Sequence, residues 1–112
     1  MTNTSKEMKF GLFFLNSIPQ TKTDAEELMD GLEQIKAADD LGYEAVWIAE
    51  HNARAYGVVS NTAVYLSAAA AITKNIKLAT GVTRLPLHHP LQVAEDMNLV
   101  DVISNGRLYL GV

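Results

Sequence analysis

The chain contains no cysteine, which excludes disulfides, thiolate catalysis and cysteine-based zinc sites. It has no apolar run near the ~20 residues that a membrane-spanning helix needs. Met1 to Lys9 are polar and carry no signal-peptide core. A cytoplasmic protein with no membrane partner is the expectation. Basic residues are not in excess either: 9 Lys and Arg stand against 13 Asp and Glu, a net charge of −4. No nucleic-acid partner is therefore expected. Glycine-rich phosphate loops are missing too. The turn after the first apolar run reads Leu15-Asn16-Ser17-Ile18-Pro19, without the glycines of a dinucleotide fingerprint, and no P-loop pattern occurs.

What remains is an ordinary globular balance: 112 residues, 48% hydrophobic and 20% charged, enough for one small domain. The apolar runs alternate with helical patterns. Strands are expected near 8–14, 45–49, 76–83 and 107–112, and helices near 24–41, 61–73 and 90–104. Thr23-Asp24-Ala25-Glu26 fits a capping box opening the first helix. Leu28, Leu32, Ile35, Ala38 and Leu41 follow at helical spacing, and Gly42 sits where a left-handed cap belongs. Ser60 or Asn61 can cap the second helix, with Asn75 as its stop, and Pro90 suits the first turn of the third.

The strands start 37, 31 and 31 residues apart. That spacing fits right-handed βαβ units, which build a parallel sheet. The expected fold class is α/β. Its architecture is the N-terminal half of a (β/α)8 TIM barrel, because a whole barrel takes ~250 residues and the chain stops inside an apolar strand. A small doubly wound sheet is the competing architecture.

Val46-Trp47-Ile48-Ala49-Glu50-His51 is the stretch most charged with chemistry. A buried strand there runs into two ionisable groups at its carboxyl end, where parallel α/β folds place ligands. His51 suits general acid–base work, but it also reads as a structural histidine held by a neighbour. Glu50 and His51 are consecutive, so in extended chain they face opposite sides. One is expected to face the site while the other anchors the loop of residues 50–60, which carries Arg54, Tyr56 and Gly57. Adjacent His88 and His89 point different ways and make an awkward chelate, so no metal is expected; His89 reads as the residue that opens the third helix. In Thr80-Gly81-Val82-Thr83, Gly81 reads either as a bulge or as a point of close approach to a flat ligand. Arg84 reads as a solvated charge.

Taken together, these residues resemble the N-terminal part of the bacterial luciferase-like, flavin-dependent monooxygenase family. The resemblance rests on Met8-Lys9-Phe10-Gly11, Trp47-Ile48-Ala49-Glu50-His51 and Leu85-Pro86-Leu87-His88-His89-Pro90. The run Glu95-Asp96, Leu99-Val100-Asp101 and Ser104-Asn105-Gly106-Arg107 completes it, so Met8 to Val112 are covered.

The resemblance implies a (β/α)8 barrel that binds reduced FMN without a covalent link. A separate flavin reductase would supply the FMN, and O2 would then oxidise a small organic substrate. It places His51 as the catalytic histidine and Glu50 on the substrate side or as a loop anchor. Gly81, Val82, Thr80 and Phe13 are implied on the cofactor side, with Gly81-Val82 matching a pair joined by a cis peptide bond in luciferase. It also implies a dimer. A related alternative uses a 5-deazaflavin coenzyme for hydride transfer, and another is a non-catalytic flavin-binding or dimer-partner subunit. Asn52 stands where luciferase carries a second histidine, which favours a general luciferase-like oxidoreductase over the light-emitting reaction. The flavin-phosphate contacts are expected beyond Val112, so the chain alone is expected to be inactive.

Overall fold

The computed structural model describes residues 7–53 and 56–112. Arg54 and the polar stretch from Met1 to Lys6 lie outside them. In chain order the elements are β1 (Gly11–Phe14), α1 (Asp24–Asp40), β2 (Ala45–Ile48), α2 (Thr62–Ile72), β3 (Lys77–Thr80), a short 3-10 turn (Leu85–Leu87), α3 (Pro90–Ser104) and β4 (Leu108–Tyr109).

Local chemistry accounts for the helix ends. The capping box closes on α1: Glu26 donates its backbone N–H to Thr23 Oγ1 at 3.3 Å, and Thr23 donates its own to Glu26 Oε2 at 2.8 Å. Gly42, at φ 81, turns the chain out of α1. Asn61 rather than Ser60 caps α2, accepting from Val64 N at 3.2 Å. That helix stops before Asn75 because Thr73 turns extended, and its hydroxyl donates to Ala69 O at 2.7 Å. Pro90 opens α3, and left-handed Asn105 with Gly106 ends it.

The sheet is parallel throughout, in the order β1-β2-β3-β4. Its ladders are shorter than the apolar runs, for physical reasons at each end. β1 begins at Gly11 rather than near Met8, because its partner strand starts only at Ala45, just past the Gly42 turn. β3 leaves the ladder after Thr80, where Gly81 N still donates to Ile48 O but Thr83 N turns to Gly111 O. β4 starts after Arg107, whose side chain is committed to helix ends.

Alternation gives the sheet two different faces. Leu12, Val46, Leu78 and Leu108 share one, and residues from all three helices (Ile35, Leu66 and Met97 among them) pack with it as a single core. Phe13, Trp47, Ala79 and Tyr109 are level on the other; Phe13 is 57% exposed and Tyr109 46%. A doubly wound sheet carries helices on both faces. Helices on one face only, with strands in consecutive order, are the arrangement of a (β/α)8 barrel, and the open aromatic face is the side a barrel closes around.

Two buried polar side chains bind the amino-terminal ends of the strands to the helices. Asp39, near the end of α1, accepts three backbone N–H groups at the start of β3: Lys74 at 2.7 Å, Asn75 at 2.9 Å and Ile76 at 2.7 Å. Burial pushes its pKa up, but those three donors and the Arg107 charge outweigh it, so the net shift is downward. Arg107 in turn donates to Ser104 O, Thr73 Oγ1, Ile76 O, Ala70 O and Thr73 O over 2.6–3.1 Å. Every guanidinium nitrogen is thereby used, and the last carbonyls of α2 gain donors that a helix end lacks.

Two outcomes are expected for the intact protein. A carboxyl whose pKa falls on folding adds stability that is complete above its unfolded value, ~3.9, and is lost as pH drops through the lower native value. Asp39→Asn should therefore lower the urea midpoint at neutral pH, with the gap to the parent closing in acid; a pH-independent gap would contradict this. Arg107→Met strips the donors from several buried carbonyls and should cost about 3 kcal/mol in urea unfolding. A loss within experimental error would show that water replaces the guanidinium.

Candidate functional site

The carboxyl ends of β1, β2 and β3 lie level, since Phe14 pairs with Ile48 and Ile48 with Thr80. Past that line the chain turns polar. Glu50 and His51 follow the end of β2, and no hydrogen bond joins their side chains; each has its own partner, His88 for Glu50 and Tyr56 for His51. The Glu50 carboxylate is 1% exposed, and its Oε1 lies 2.8 Å from Nε2 of His88. Its Oε2 has no partner among the described residues.

His51 is half-buried. Its backbone N–H donates to Val59 O at 2.9 Å, closing the loop that follows β2. Its ring meets the edge of Tyr56, with centroids 5.1 Å apart at 69°. Nδ1 is enclosed without a partner among the described residues. Gly57 passes beneath it so closely that a Cβ there would come within 2.8 Å of Nδ1 and 2.9 Å of Leu15 O. Any larger residue would displace the imidazole.

The loop is braced from both sides. Toward β1, Val58 N donates to Asn16 O at 3.1 Å and Ser17 Oγ to Tyr56 O at 3.3 Å. Toward β3, Arg84 Nη1 donates to Asn52 Oδ1 at 3.4 Å, so Arg84 is exposed but not simply solvated. Glu50, His51, Tyr56 and Arg84 line a hollow of about 420 Å³. A larger one, about 550 Å³, lies at the opposite end of the strands beside Phe10, Leu41 and the Lys9–Glu44 ion pair. It adjoins no unpartnered buried polar atom, and parallel α/β sheets carry their chemistry at the carboxyl ends of the strands.

The open sheet face reaches the same end. The Gly81–Val82 peptide bond is cis. A Cβ on Gly81 would lie 2.9 Å from Phe13 Cε2 and 3.3 Å from Trp47 Cβ, so the missing side chain lets the Phe13 ring in. Val82 is exposed beside it. Thr80 is placed differently: it is buried, and its hydroxyl donates to Gly111 O and accepts from Gly111 N, both at 2.8 Å. His89 is exposed, caps α3 with its backbone alone and takes no part in the group. No cluster of three or more possible metal ligands occurs among the described residues.

His88 is the member that the sequence concealed. It lies 38 residues from Glu50, and only the short 3-10 turn, with His88 N donating to Leu85 O, brings it back to β2. The register pairing Ile48 with Thr80 brings the following loops together, and that pairing has no signal in the sequence.

Comparison with known proteins agrees with this fold. The chain is 35% identical over 107 residues to 4-hydroxyprotoasukamycin monooxygenase of Streptomyces nodosus subsp. asukaensis, covering 96% of this chain and 29% of that protein. It thus spans under a third of the length of such curated relatives. The oxygenating constituent of 3,6-diketocamphane monooxygenase from Pseudomonas putida, solved in complex with FMN, superimposes with a TM-score of 0.87 at 30% identity. That match covers 93% of this chain and 29% of the other. The coenzyme F420-dependent tetrahydromethanopterin reductase of Methanopyrus kandleri gives 0.74 at 31% identity, over 94% of this chain and 26% of its own. The fold is accordingly that of the N-terminal half of a TIM barrel. A model of the luciferase-like monooxygenases matches residues 8–112, and the chain belongs to that family.

Proposed function

We propose that this chain forms the first strands of a flavin-dependent monooxygenase that uses reduced FMN and O2 to oxidise a small organic substrate. The FMN is held without a covalent link and is delivered by a separate flavin reductase. One observation carries the reading. An exposed apolar surface of Phe13 and Val82, with Gly81 making room for the Phe13 ring, lies at the same carboxyl end of the strands as the half-buried imidazole of His51. That combination fits a flat ring system with a polar reacting edge. The FMN-bound relative, an oxygenating constituent, supports the choice of cofactor and the two-component arrangement.

Phe13, Gly81 and Val82 hold the ring by apolar contact. Thr80 acts one step away, its hydroxyl fastening the chain at Gly111 alongside β3. When bound, the reduced flavin supplies the electrons that activate O2. With Nδ1 enclosed above Gly57, His51 exchanges a proton with the ligand through Nε2. The loop braces hold the imidazole still and keep bulk water from one side of it. A deazaflavin-dependent hydride transfer is the second reading, favoured by the likeness to the F420-dependent reductase.

Labelled dioxygen separates the two. Reduced FMN and 18O2 with a ketone or aldehyde probe should give a product that carries one 18O atom in the intact protein, the other leaving as water, whereas the hydride-transfer reading predicts no label in the product. His51→Ala should lower product formation about 100-fold or more while leaving FMN affinity nearly unchanged; parent-like product yield would remove the acid–base role. Gly81→Ala puts a methyl group against Phe13 and should weaken FMN binding about 10-fold, an overpacking cost of ~1.4 kcal/mol. Unaltered binding would place the ring elsewhere.

A further inference from the structure

The residues on either side of His51 both reach to one neighbouring segment. Glu50 Oε1 meets His88 Nε2 at 2.8 Å, and Asn52 Oδ1 accepts from Arg84 Nη1 at 3.4 Å. Asn52 also donates through Nδ2 to Ser60 O at 2.9 Å, fixing its own loop. Arg84 and His88 belong to the connection between β3 and α3, which is the continuation of Gly81–Val82. The 3-10 turn keeps that connection short: Leu87 N donates to Arg84 O and His88 N to Leu85 O.

Of the two contacts, the one through Glu50 is the more telling. A carboxylate removed from water costs several kcal/mol unless it is paired, and an apolar side chain would fill the same space without that cost. Here the carboxylate is 1% exposed and only one of its oxygens has a partner among the described residues. Folding alone does not call for such a group at a strand end. A bond reaching across to the next loop does.

We propose that Glu50 and His88 are positioning residues for His51. The proposal rests on the reading of His51 as the proton-exchanging group. The Glu50–His88 bond locks the loop after β2 to the connection after β3, so the imidazole and Val82 keep one fixed relation. Glu50 and His51 both line the hollow, and Glu50 spends its Oε1 on His88. Through that bond it sets the backbone at residue 51.

The test uses the intact protein with three variants, His88→Ala, His88→Gln and Glu50→Gln, besides His51→Ala. Two properties are read: steady-state turnover with reduced FMN, O2 and the ketone or aldehyde probe, and the 13Cε1 NMR signal of the His51 imidazole without flavin. His88→Ala should lower kcat about 10- to 100-fold with KM little changed, the scale of a catalytic group displaced by about an ångström. It should also shift or broaden the His51 signal. His88→Gln keeps a donor for Glu50 and should restore most of both.

An unchanged His51 signal and unchanged kcat in His88→Ala would overturn the proposal. So would a Glu50→Gln variant as inactive as His51→Ala beside a fully active His88→Ala, because Glu50 would then act on the ligand itself. If His51→Ala keeps full turnover, the underlying reading has failed instead. The response of the His51 signal to His88→Ala still reports whether the two loops are coupled.

Discussion

Register is the constraint on which the rest of this molecule depends. In a parallel sheet a shift of one residue exchanges the two faces of a strand. Here Leu12, Val46 and Leu78 must meet the helices while Phe13, Trp47 and Ala79 stay on the open side. The apolar core favours that register, and the buried polar pair at the amino-terminal ends enforces it. Asp39 holds the first residues before β3, and Arg107 ties the start of β4 to the end of α2. Neither side chain is near the candidate site. Their effect is to deliver Phe14, Ile48 and Thr80 level at the far end.

With the strand ends level, the loops beyond them have little freedom. The loop after β2 is held by Asn16 and Ser17, just past β1, on one side and by the β3–α3 connection on the other, and His51 sits between the two sets of bonds. Missing side chains matter as much as those present. Gly57 makes room for the imidazole, and Gly81 makes room for Phe13. Each glycine exchanges packing for the close approach of an aromatic or imidazole ring. The buried Asp39 and Arg107 network thus lies at one end of the sheet and the candidate site at the other, the division expected of barrel enzymes.

Much of the fold was legible because its signals are local and periodic. The capping box at Thr23, the turn at Gly42 and the proline at residue 90 each state a helix boundary in a few residues. Ladder lengths were less legible, because β1 can pair only where β2 exists, and that is a property of two segments at once. The site divides the same way. Strand parity set Glu50 and His51 on opposite sides, whereas both line one hollow beyond the end of β2. What the carboxylate does instead could not be read, since its partner is 38 residues away on a turn with no sequence signature. Thr80 shows the converse: its place in the motif suggested the cofactor, while its hydroxyl is taken up by Gly111. Five donors of one arginine converging on helix ends are also invisible in sequence, where Arg107 is simply the residue before a strand.

The central claim is that the open aromatic face at Phe13, Gly81 and Val82 and the imidazole of His51 form one site, and that the site takes a flavin. A crystal structure of the intact protein with FMN tests it most directly. Flavin ring density is expected against Val82 and Phe13, on the side of the sheet away from the helices and within reach of His51. Density at the hollow beside Lys9 and Glu44, or a ring lying out of reach of His51, would contradict it.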